Sequence, residues 1–154
     1  MKFSTREDIE APIDFVYSQF SDFEGFERLA RQRGVAVEQI APGAPDGLHR
    51  EWQAKARYRG KLRDIGLRIE DLRAADGYLV RAHVGGMVAD VGVEMMALSR
   101  NRTRIVVGVE LRPTTLSARL LVQSLKFAKK NLQSRYAKRV ATYAQVIGTR
   151  HAGA

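Results

Sequence analysis

The chain has 154 residues, 45% of them apolar and 28% charged, with 26 Lys and Arg against 17 Asp and Glu for a net charge of +9. That size and composition describe one soluble globular domain able to bury a core without staples. The absence of cysteine excludes a disulfide framework, a thiolate nucleophile and a thiolate metal site.

The charge is unevenly spread. Glu110 is the last acidic residue, nine basic residues follow it, and residues 1–110 hold 17 of each sign. The opening residues, Met1 to Asp8, carry no apolar leader. No run approaches the ~20 apolar residues that span a bilayer. A cytoplasmic location is therefore expected.

Phe3 to Ile9 alternates apolar and polar positions and is expected to be a strand. Pro12 suits the first turn of a short helix with Phe15, Val16 and Phe20 on its apolar side. Asp22 can cap a second short helix bearing Phe23, Phe26 and Leu29, which Gly34 can close in a left-handed conformation. Val35 to Ile40 reads as a strand, and Pro42 to Gly47 as a loop.

From Leu48 onward the pattern is a run of antiparallel strands, with turns at Arg59-Gly60, Asp76-Gly77 and Gly85-Gly86. A two-residue turn at Arg59-Gly60 pairs Ala56 with Arg63, Ala54 with Ile65, Trp52 with Leu67 and Arg50 with Ile69. A similar turn at Asp76-Gly77 pairs Arg73 with Val80, Asp71 with Ala82, Glu70 with His83 and Ile69 with Val84. Both registers place Trp52, Ala54, Ile65, Leu67, Ile69, Val80, Ala82 and Val84 on one face. A slip of one residue would invert every side chain, so their agreement is informative. At Ser99 to Arg102 a three-residue loop aligns Val91, Val93, Met95 and Ala97 with Ile105, Val107, Val109 and Leu111. A two-residue turn would bring Asp90 and Glu94 to that face instead, and apolarity favours the first.

After Pro113, with Thr114 or Thr115 as N-cap, the residues Leu121, Leu125, Ala128, Leu132, Tyr136, Val140, Tyr143 and Ile147 recur at spacings of three and four. They predict a single helix from Leu116 to Ile147, about 48 Å long at ~1.5 Å per residue. Leu116, Leu120 and Phe127 form a second apolar strip on another side of its first half. That strip needs a loop, a ligand or another subunit against it, so a homodimer is among the expectations.

A strand, two short helices, about six further strands and a long amphipathic helix make an α+β order, in which only the last helix is long enough to cover the sheet. With Ile9-Glu10-Ala11-Pro12 followed by Val16, Phe20 and Ser21-Asp22, the chain resembles the START-like (SRPBCC) superfamily, which includes polyketide cyclase/dehydrase and lipid-transport proteins. The resemblance implies a helix-grip fold: a curved antiparallel sheet of about seven strands wrapped around a long C-terminal helix, with two short helices after the first strand. It covers residues 1–150 as one domain, leaving 151–154 as a tail. It also implies a cavity between sheet and last helix that holds hydrophobic small molecules.

Trp52, Leu67, Val93, Met95 and Tyr136 are the expected lining of that cavity, although core packing is the default reading of Trp52 and Met95. Arg50 and Arg63 fall on the inner face at strand ends. There they can bind a carboxylate or phosphate head group, or reach solvent and pair with a local acid such as Asp71. Arg135 and Arg139 border the helix stripe and suit solvated stems. His83 is expected opposite Glu70 on the outer face, His49 points outward and His151 lies in the tail, so no catalytic or metal-binding set emerges.

Three functions compete. The first is a non-catalytic binder or carrier of a lipid-, polyketide- or quinone-like molecule, without a cofactor. The second is a polyketide cyclase or hydrolase using the same cavity, for which the inner face lacks a polar constellation. The third is peripheral docking of the acid-free C-terminal segment on an anionic membrane, which is compatible with carriage. Basic residues there are not interleaved with stacking aromatics, which argues against specific nucleic-acid reading.

Overall fold

Alternating apolar and polar residues build a seven-stranded, wholly antiparallel sheet in the order β1-β7-β6-β5-β4-β3-β2. The computed structural model describes residues 1–153. Its elements are β1 (Lys2–Ile9), α1 (Ile13–Phe20), α2 (Phe23–Gln32), β2 (Ala36–Ala41), β3 (Glu51–Tyr58), β4 (Lys61–Arg73), β5 (Gly77–Val84), β6 (Met87–Ser99), β7 (Arg102–Pro113), α3 (Leu116–Phe127) and α4 (Lys129–Ala152). β1 and β2 are the two edges, and α1 and α2 cross the inner face between them. Bulges in β2, β4 and β6 add the local twist that lets so long a sheet curve.

The Arg59-Gly60 hairpin has the expected register, with Trp52 opposite Leu67 and Ala56 opposite Arg63. Both turn residues take positive φ (50° and 74°), as a two-residue turn matched to strand twist requires. The next hairpin differs from expectation. Its turn is Ala74-Ala75-Asp76, Gly77 opens β5, and a bulge at Glu70 brings Val80 opposite Ile69 and His83 opposite Gly66 rather than Glu70. The cause lies across the sheet: a Cβ on residue 77 would sit 2.1 Å from the Val93 carbonyl oxygen, so the glycine is consumed by close strand approach. From Ile65 to Ile69 the displacement is four residues, an even number, and the expected inner face survives there.

In the β6–β7 hairpin Val91, Val93 and Met95 lie opposite Val109, Val107 and Ile105, as the apolar alignment predicts. Arg100-Asn101 forms a two-residue turn, and a bulge at Leu98 restores the face that such a turn alone would invert.

The C-terminal segment is two helices instead of one. Ala128 leaves helical geometry (φ −101°, ψ 11°), and Thr115, not Thr114, caps α3 by accepting from the Ala118 N–H. A straight helix through Ala152 would be about 55 Å long, whereas the longest strands, at 13 residues, span about 43 Å. The break lets α4 lie along β1 while α3 turns onto β7. α3 consequently buries Ala118 and Val122, and Leu121 is exposed. α4 continues to Ala152, into the residues expected to be tail.

The core joins α1 and α4 to the β1/β7/β6 half of the sheet: Ile9, Ala11, Val16, Phe20, Val93, Met95, Ile105, Val107, Ala144 and Ile147. Buried hydrogen bonds pin α1 in place. Thr103 donates to the Ala11 carbonyl (2.8 Å), Tyr78 to that of Phe20 (2.7 Å) and Tyr143 to that of Gln19 (3.1 Å).

Candidate functional site

The other half of the inner face is differently covered. α2 lies over β2–β5 with Phe23, Phe26 and Ala30 on its sheet-facing side, yet none of its residues is fully buried. An amphipathic helix whose apolar side is only partly buried leaves room beneath it. Beneath it is an open apolar cleft of about 280 Å³ lined by those three residues, Glu27, Val37, Trp52, Leu67, Tyr78, Val80 and Val91.

Sheet register explains the lining. Trp52, Leu67, Val80 and Val91 all point inward from four adjacent strands, and Val37 joins them opposite Ala54. Phe23 sits at the centre of an aromatic cluster, its ring 5.9 Å from Trp52, 5.4 Å from Tyr78 and 6.5 Å from Phe26. Asp22 sets the start of α2 by accepting from the Gly25 N–H (3.0 Å), which fixes where Phe23 and Phe26 project.

The polar groups in the wall are engaged. The Trp52 indole N–H donates to Glu27, whose other oxygen lies 3.7 Å from Arg31. Burial holds the Tyr78 phenol above the usual tyrosine range, so it stays a neutral donor to Phe20. Arg50 stands at the rim, its guanidinium 6.0 Å from the Trp52 ring and its Nε donating to the Pro42 carbonyl (3.4 Å).

Of the residues expected to line a cavity, the structure brings together Trp52 and Leu67, with Arg50 beside them. Val93 and Met95 instead pack in the core against α1 and α4. Tyr136 packs against that core and donates its hydroxyl to the Val107 carbonyl. Arg63 lies in a separate cavity of about 470 Å³ between the β3–β4 hairpin and α3. After the break at Ala128 α4 packs along β1, and the apolar cleft lies under α2. Sequence reading missed Phe23, Phe26, Glu27, Ala30, Val37, Tyr78, Val80 and Val91 as lining. The available signal was Phe23, Phe26 and Ala30 at spacings of three and four on one side of α2. Among the described residues no group of three or more His, Asp or Glu could hold a metal ion. No helix there is long and apolar enough to cross a membrane.

No protein-family model matches the sequence, and no curated protein sequence matches it. Solved structures do. The Thermus thermophilus protein TTHA0849 superposes with a TM-score of 0.66 at 16% identity, covering 96% of this chain and 97% of that one. The Zhui aromatase/cyclase from Streptomyces sp. R1128 gives 0.64 at 14% identity, covering 94% and 93%. A START superfamily protein from Mycobacterium smegmatis gives 0.57 at 11% identity, covering 91% and 99%. These matches cover nine-tenths or more of each chain, and on them this chain has the helix-grip fold.

Proposed function

We propose that the protein binds and carries a hydrophobic small molecule in the cleft beneath α2. The observation that carries this reading is an apolar space walled by the Trp52–Phe23–Tyr78 aromatic cluster and roofed by a helix none of whose residues is fully buried. Carriage is favoured over cyclisation because Glu27 and Tyr78, the ionisable groups of the wall, already serve Trp52, Arg31 and Phe20. A catalyst needs an acid or base free to meet its substrate. Trp52, the sole tryptophan, reports on the cleft. Its fluorescence should shift and saturate on titration with a long-chain alcohol, and native mass spectrometry should show a co-purified small molecule. A flat titration with an empty mass spectrum overturns the reading.

A second element of the reading concerns delivery, and α3 favours it. Ala118, Val122 and Leu125 face the protein, while Leu116, Leu120 and Phe127 project from the opposite side, 73%, 61% and 95% exposed. Lys126, Lys129 and Lys130 are exposed at the Phe127 end. An anionic bilayer complements both features, with each Lys contributing at most about 1 kcal/mol. Co-sedimentation should occur with anionic but not neutral vesicles, and fall in high salt and in a Lys126/Lys129/Lys130→Glu variant. Equal binding to both vesicle types, or a stable dimer burying Phe127, removes the membrane from the account.

A further inference from the structure

The cleft beneath α2 and the Arg63 cavity are set along one inward-facing row of β4, a row that would join them into one trough. Inward side chains of β4 alternate as Lys61, Arg63, Ile65 and Leu67. Leu67 lines the cleft, whereas Arg63 lines the second cavity with Val84, Met87, Ala118 and Leu121. Ile65, paired with Val84, occupies the row between them, and both are partly exposed. From Leu67 to Arg63 the distance along the strand is about 13 Å, within reach of one fatty-acid-sized chain. Along this row of β4 the apolar side chains, Leu67 and Ile65, lie toward Trp52, and Arg63 and Lys61 lie at the other end.

Arg63 is the unusual member. Its Nε is buried and has no hydrogen-bond partner. Arg68 shares that description but has the Glu51 carboxylate 3.1 Å away. Among the described residues neither Arg63 nor Lys61 forms an ion pair. The acid at the rim of the second cavity, Asp64, faces Lys55 (4.0 Å). The Tyr58 ring lies against the Arg63 guanidinium, 5.8 Å to its centroid. Arg50, by contrast, spends its Nε on Pro42. A buried donor without an acceptor is rare in native structures, and an arginine fork accepts a carboxylate or phosphate in bidentate geometry.

We infer that the trough takes a single-chain amphipathic anion. Its carboxylate or phosphate head sits on Arg63 and Lys61, and its chain runs over Ile65 and Leu67 toward Trp52. This deepens the proposed carrier function and rests on it. The test is a titration of the unmutated protein and of Arg63→Gln with dodecanoate, dodecyl phosphate and dodecanol at neutral pH, read by Trp52 fluorescence. In the unmutated protein at least one anion should bind about tenfold or more tightly than dodecanol. That preference should shrink in high salt, and Arg63→Gln should abolish it while Arg63→Lys keeps part of it. The relative affinities of the two anions identify the head group. Equal affinity for anions and alcohol in the unmutated protein, which needs no variant to fold, overturns the inference and leaves hydrophobic carriage standing. A preference that survives Arg63→Gln moves the head group elsewhere and also overturns it. No response to any of the three probes ends both readings.

Discussion

Ala30 offers a direct probe of the cleft. It lines the space from a helix whose residues are all at least partly exposed, so Ala30→Phe should fill the space without disturbing the core. Affinity for a hydrophobic probe should fall tenfold or more, with a melting temperature within a few degrees of the parent, about what 1 kcal/mol moves in a chain of this length. Unchanged affinity would place the ligand elsewhere. Gly77 tests a different constraint. A methyl group there meets the Val93 carbonyl oxygen at 2.1 Å, and both partners are backbone in adjacent central strands. Gly77→Ala should cost about 2 kcal/mol or more in a urea melt. The residue also shows where sequence reading misled: Asp-Gly is a strong turn signal, yet here the glycine answers a backbone carbonyl on the next strand.

Between elements, the outer face is tied by one carboxylate shared across three strands. Asp90 on β6 accepts from Arg81 on β5 (2.8 and 3.2 Å) and from Arg112 on β7, with its side chain only 11% exposed. The Arg81 hydrogen bonds, with Arg112 behind them, hold its pKa below the ordinary carboxylate value despite opposing desolvation. A depressed folded pKa means that the stabilisation is complete above the unfolded value, near 4, and is lost as pH falls through the folded one. Asp90→Asn should cost about 1–3 kcal/mol at neutral pH and flatten the loss of stability below pH ~4, as measured by urea melts across pH. Equal acid limbs in the two proteins would show that other carboxylates carry that dependence. Asp90 was legible as outward-facing from strand alternation alone. Its two arginine partners were not, because they depend on how β5 and β7 register with β6.

Over the whole molecule, burial raises three tyrosines that clamp helices or strands across layers, Tyr143 among them. Tyr136 on α4 donates to β7 and is pushed up to about 12, and Tyr78 on β5, donating to the end of α1, is raised further. Both ionise more readily in the unfolded chain. Stability should therefore be flat to about pH 10 and fall as pH rises toward 12. Tyr136→Phe should cost about 1 kcal/mol at neutral pH and make the alkaline decline shallower. An identical alkaline limb would exclude Tyr136 as a contributor. The sequence by itself determined the strand order, the inward face of β3–β7, the caps Asp22 and Gly34, and the acid-free C-terminal segment. All of these follow from alternation, local turn geometry or composition, which a single stretch of chain carries. Tertiary structure alone decided the break at Ala128, the Ala74–Asp76 turn, and the division of one inner face into a core beneath α4 and a cleft beneath α2. Those depend on strand length against helix length and on backbone approach between distant segments. Neither quantity is written in any local window, because each exists only when the sheet has closed and the helices compete to cover it.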